Sequence, residues 1–108
     1  MIHKFDVDIA AVYGIEAAVL LDTIFWDMQR SDKTFMVMKD GLLYKHYNIA
    51  TLLDMCPEFK TIKMTKMVLR KLIKVDALSM MYSEPSGRYI AVTDYGTISI
   101  ENAYNFVN

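Results

Sequence analysis

The stretch Thr61 to Val75, TIKMTKMVLRKLIKV, constrains this chain more than any other. At helical spacing, Thr65, Val68, Leu69 and Leu72 fall on one side and Lys63, Met67, Arg70 and Lys74 on the other, flanked by Lys66 and Lys71. Lys60 stands just upstream, and the next acid is Asp76. Such a helix buries one face and offers six cations on or beside the other. A cationic stripe of this kind is either a solvated face or a surface that lies along a phosphate-lined groove.

Charge distribution separates these two readings better than total charge, which is −1. Residues 1–58 hold five Lys/Arg and nine Asp/Glu, residues 59–78 hold six and one, and residues 79–108 hold one and three. Positive charge is therefore gathered into one helix of an otherwise acidic chain, as an electrostatic footprint requires.

The 108 residues suit a single domain over 1–108, and 54% of them are hydrophobic, enough for a modest core. The longest apolar run of the first helix, Ala17 to Leu21, is too short to span a bilayer, and MIHKFDVD lacks the features of a signal peptide. A cytoplasmic protein with no membrane partner is the expectation. Cys56 is the single cysteine, so no internal disulfide forms.

Phe5 to Tyr13 reads as a lead-in turn of helix that Gly14 interrupts. Ile15 to about Arg30 is the clearest helix, with a core stripe of Ala17, Leu21, Ile24, Phe25 and Met28. A second apolar stripe, Ile15, Val19 and Trp26, borders its polar side. Either the terminal segments or a second subunit covers that stripe.

Thr34–Met38 and Leu42–Tyr44 read as strands joined at Lys39-Asp40-Gly41, a tight-turn signal. Asn48 suits the N-cap of a short helix from Ile49 to about Met55, which Pro57 helps to end. Thr61 then caps the basic helix. Leu78–Tyr82 and Tyr89–Thr93 read as a second hairpin, with residues 83–88 as its tip. Gly96 breaks the remainder, and Thr97 to Phe106 reads as a strand or a final helix within a C-terminal extension over 95–108.

A short helix, a turn of about four residues and a second helix have helix-turn-helix spacing, and a hairpin directly after them makes the winged variant. The fold expected is α+β, a mostly helical winged helix-turn-helix with a C-terminal β-hairpin wing. On that fold Lys63, Lys66 and Met67 face base edges: lysine donates to guanine, and the Met67 chain touches a thymine methyl. Arg70, Lys71 and Lys74 face phosphates, with Lys60 beside them and Arg88 at the wing.

Other chemistry finds little support. His3 and His46 lack metal-site spacing, so no metal or other cofactor is expected. Cys56 falls on the apolar side of its helix, as a core residue does. There is no G-x-S-x-G, glycine-rich phosphate loop or H-E-x-x-H, and an enzyme is not expected.

Three segments, FDVDIAAVYGIEAAVLL, YNIATLLDMCPEF and KMTKMVLRKLIKVDALSMMY, resemble the N-terminal winged-helix domain of phage replisome organisers and DnaD-type replication-initiation proteins. The resemblance spans about residues 5–95. It implies a DNA-binding domain of replication initiation, with double-stranded DNA, a homodimer mate and replication proteins as partners. A transcription regulator on the same fold, or a dimerisation module using Ile15, Val19 and Trp26, is the alternative.

Overall fold

The computed structural model describes residues 13–82 and 87–107. The lead-in before Tyr13 and the hairpin tip at 83–86 lie outside the described residues. The described chain is α+β, with four helices and one four-stranded antiparallel sheet.

Helix α1 spans Ile15–Arg30, as its periodicity requires. Gly14, at φ 95°, turns the chain into it. Burial runs almost around the helix: Ala17, Ala18, Leu20, Leu21 and Ile24 are fully enclosed, and Met28 nearly so. A buried acid, Asp22, accepts from Trp26 Nε1 at 3.1 Å one turn on.

The first hairpin differs from its expected bounds. Strand β1 is only Val37–Lys39, because Lys33–Phe35 form a 3-10 turn. The Asp32 carboxylate accepts from the Thr34 amide at 2.9 Å, and Met36 N bonds back to Lys33 O at 3.1 Å. That local side-chain bond outcompetes strand geometry at Thr34 and Phe35. Asp40 and Gly41 both take positive φ, the pair of left-handed residues that a two-residue hairpin loop needs. Strand β2 runs Leu42–Tyr47, three residues past its expected end.

Helix α2 is Ile49–Met55. Asn48 occupies its N-cap position, but its side chain makes no capping bond. Pro57–Phe59 form a 3-10 turn, and Lys60, at φ 68°, turns the chain into helix α3, Ile62–Lys74. The expected Thr61 cap forms: Oγ1 accepts from Met64 N at 3.0 Å. Helix α3 packs on α1 and α2 through Thr65, Val68, Leu69 and Leu72.

Strands β3, Leu78–Tyr82, and β4, Arg88–Val92, form the second hairpin. Sheet order is β1-β2-β4-β3, so β4 lies between its hairpin mate and β2 (His46 opposite Tyr89). Helix α4, Asp94–Val107, resolves the open reading of the C-terminal stretch. Gly96 does not break it. A Cβ on Gly96 would sit 2.2 Å from the Ala77 carbonyl oxygen, so the glycine lets the start of α4 press on the chain leaving α3.

One core joins these elements. Leu20, Leu21 and Ile24 of α1 meet Leu52 and Cys56 of the α2 region, Leu72 of α3, Leu78 and Ile90 of the sheet and Ile100 of α4. No helix among the described residues is long and apolar enough to cross a membrane.

Candidate nucleic-acid interface

Burial of Thr65, Val68, Leu69 and Leu72 fixes the rotation of α3. Thr65 tolerates full burial because its hydroxyl donates to Thr61 O at 2.9 Å. With that face inward, Lys63, Met67, Arg70, Lys71 and Lys74 are exposed, and Lys66 is half-buried at the edge. Lys60 is exposed at the corner before the helix. None of these six cations has an ion-pair partner among the described residues. Their charge is therefore not neutralised within the described fold.

The structure brings one further cation to this face. Lys66 and Arg70 from α3, Arg88 from β4, and Leu69, Ile73 and Met80 line a shallow hollow of about 40 Å³ between helix and hairpin. Arg88 stands opposite Tyr47 and Tyr82 in the sheet, so its backbone is fixed on both sides. Three cationic side chains from two elements thus border one apolar floor. The remaining cations, Lys60, Lys63, Lys71 and Lys74, do not line this hollow.

His46, on β2, packs against the tip end of the second hairpin. Its ring packs edge-on against Tyr89, with centroids 5.3 Å apart. It also covers Gly87 so closely that a Cβ there would lie 1.6 Å from Nε2. Gly87, at φ 92°, leaves both the backbone turn and the space for this imidazole.

The three residues of the second α1 stripe have different surroundings. Ile15 is 60% exposed, Val19 is 8% exposed within the core, and Trp26 is half-buried. Trp26 stacks edge-on against Phe25 with centroids 5.0 Å apart. The described fold itself covers Val19, which leaves Ile15 as the open end of the stripe.

Cys56 is buried, and its Sγ donates to Thr23 Oγ1 at 3.5 Å. Burial pushes the thiol pKa up, away from thiolate chemistry. No cluster of three metal-ligating side chains occurs among the described residues. A second hollow, about 250 Å³, opens between the end of α1, the first hairpin and the start of α4. Phe25, Met28, Met36, Leu43, Lys33 and Asp94 are among its lining residues.

One polar cluster was not legible from spacing. Asp27 Oδ2 accepts from Lys45 Nζ at 2.6 Å and from Tyr47 OH at 2.5 Å. Lys45 also donates to Ser31 Oγ at 2.6 Å, and Ser31 donates to Asp27 O at 2.6 Å. Burial pushes the Asp27 carboxyl pKa up, but the bonds from Lys45 and Tyr47 outweigh it and hold the value below the usual range. Burial and the adjacent carboxylate push the Tyr47 phenol upward. The cluster ties the end of α1 to β2. Alternation along β2 puts Lys45 and Tyr47 on one face, and that is the only sequence signal for it.

The class that these observations define is an α+β fold carrying an unneutralised cationic helix beside a β-hairpin. No family model, curated protein or solved structure matches the chain.

Proposed function

We propose that this protein is a winged helix-turn-helix domain that binds duplex DNA through α3, with the β3–β4 hairpin as its wing. Helix α2, the 57–60 turn and α3 supply the helix-turn-helix, and a hairpin follows α3 directly. The observation that carries the reading is the row of exposed, unneutralised cations along α3, with Arg88 set across the hollow from Lys66 and Arg70. Lys63, Lys66 and Met67, toward the N-terminal end, approach base edges; Arg70, Lys71, Lys74, Lys60 and Arg88 engage phosphates. The domain acts without a catalytic centre, in the cytoplasm. A role in replication initiation rests on the resemblance to phage replisome organisers and DnaD-type proteins alone, and transcription control on the same fold is the alternative.

Binding is tested by fluorescence anisotropy on a labelled duplex of about 25 base pairs at several salt concentrations. With about four to six phosphate contacts, the log–log salt slope is on the order of −4 to −5. Replacing Lys63, Arg70 and Lys74 together by alanine flattens it. No binding at low salt, or a slope the triple variant leaves unchanged, refutes the reading.

Self-association is a compatible second reading, favoured by the exposure of Ile15. Sedimentation at two concentrations, with Ile15→Ser beside the wild type, decides it. A monomer throughout rejects a homodimer.

A further inference from the structure

Helix α3 changes character along its length. Its C-terminal half exposes only cations, Arg70, Lys71 and Lys74. Its N-terminal half exposes two large apolar side chains among its cations: Ile62 is 41% exposed and Met67 44%. Neither belongs to the buried set of Thr65, Val68, Leu69 and Leu72. At about 100° per residue they lie about 140° apart around the helix, with Lys66, Arg70 and Lys63 at angles between them. Along the axis they are about 7.5 Å apart at about 1.5 Å per residue. The 140° between them adds a lateral offset of about 4 Å on a Cα radius of about 2.3 Å, so their Cα atoms stand about 9 Å apart, between two and three base-pair steps of 3.4 Å.

We infer that Ile62 and Met67 are a pair of thymine-methyl readers, and that the preferred duplex carries thymines two to three steps apart. The inference rests on the DNA reading above and adds the class of site it selects. In the major groove the C5-methyl of thymine is the apolar feature of the base-pair edges, and an aliphatic chain gains by covering it. The lysines between the pair, Lys63 and Lys66, donate to guanine at their own positions and do not choose thymine at those of Ile62 and Met67. Ile62 and Met67 supply that choice, while the cation-only half of α3 binds backbone of any sequence.

The test takes the duplex enriched from a random pool by the wild-type protein and compares it with a copy in which deoxyuridine replaces every thymidine, deleting only methyl groups. Affinity should fall about fourfold for each methyl contact, from the transfer free energy of one buried methyl-sized group, and about fifteenfold for two. Ile62→Ala and Met67→Ala should each remove part of that discrimination, and Ile62→Val should keep most of it. The salt slope should not change, because neither side chain meets a phosphate.

An enriched site without thymine overturns the inference, as does equal, salt-sensitive affinity for the thymidine and deoxyuridine duplexes. The DNA reading survives both results. Absence of binding to any duplex overturns the reading and the inference together.

Discussion

Thr93 is the residue through which three elements meet, and replacing it by valine tests how the fold places α3. Its hydroxyl donates to Asp76 O at 2.5 Å and accepts from Gly96 N at 3.0 Å, while its own amide donates to Ala77 O at 3.2 Å. The side chain therefore caps α4 and ties it to the chain leaving α3. Thr93 is 7% exposed, so valine keeps the shape and removes both hydroxyl bonds. Loss of the cap costs about 1 kcal/mol. The Asp76 carbonyl, left without its partner, costs about 1–2 kcal/mol more, the lower part of the usual range because Asp76 is at the surface. The sum, about 2–3 kcal/mol, is a large share of the roughly 5–15 kcal/mol that holds a domain of this size together. It corresponds to a fall in Tm on the order of 10 °C or more. Urea unfolding followed by the fluorescence of Trp26, the single tryptophan, measures it, with the m-value unchanged. Thr93→Ser keeps the hydroxyl and loses about 1 kcal/mol for one buried methyl. If valine costs under 1 kcal/mol, or serine costs as much as valine, the junction is not held by this hydroxyl.

Three further outcomes can be measured on the same protein. Gly96→Ala should lose about 1–3 kcal/mol from overpacking against the rigid Ala77 carbonyl, despite alanine's helix propensity; an equally stable variant rejects the close approach. Asp76 takes φ 65° just past α3, with its amide bonded to Ile73 O and the Ala77 amide to Leu72 O. Asp76→Gly should therefore gain up to about 1 kcal/mol by removing both the left-handed penalty and an acid at a helix C-terminus, and a lower Tm would contradict this. Asp27 has a depressed carboxyl pKa in the folded state, so its contribution is present above the unfolded value of about 3.9 and is lost as pH falls through the lower folded value. Asp27→Asn should lower Tm at neutral pH and lessen the fall in Tm below about pH 4; parallel wild-type and variant profiles in that window would falsify the linkage.

What the sequence made legible, and what it hid, follows from where each constraint lives. Helices α1 and α3 were readable because each carries its own periodic face, and Thr61 because a cap bonds within its own first turn. Strand β2 was cut short because Lys45, His46 and Tyr47 pair with β4, over forty residues on. Thr34 and Phe35 look like strand residues by type, yet one bond to Asp32 turns them into a 3-10 turn. Gly96 reads as a break in a local pattern, but its role is to make room for a carbonyl nineteen residues earlier. On the cationic face, the stripe of α3 was visible in the chain itself, and the approach of Arg88 to Lys66 and Arg70 required the sheet.

The Thr93 junction and the cationic hollow share a geometric dependence. Arg88 begins β4 and Thr93 follows its last residue, so the strand is a short ruler between them. At one end Thr93 holds β4 to the chain just past α3; at the other, Arg88 faces Lys66 and Arg70 across the hollow. Five strand residues span about 17 Å at 3.3–3.4 Å each, and β4 is paired with β3 along its length and with β2 over Arg88–Ile90, which stiffens it between the two ends. Loosening the Thr93 end lets the C-terminal end of α3 move against the sheet, which changes the spacing of Arg88 from the α3 cations without changing any charge. Under the DNA reading, Thr93→Val therefore weakens binding while leaving most phosphate contacts in place, so affinity falls more than the salt slope does. Arg88→Ala acts on charge instead: it removes one cation from the hollow and lowers the slope by about one. If Thr93→Val lowers stability yet leaves affinity unchanged at temperatures where it is fully folded, the junction stabilises the domain without setting the distance across the hollow.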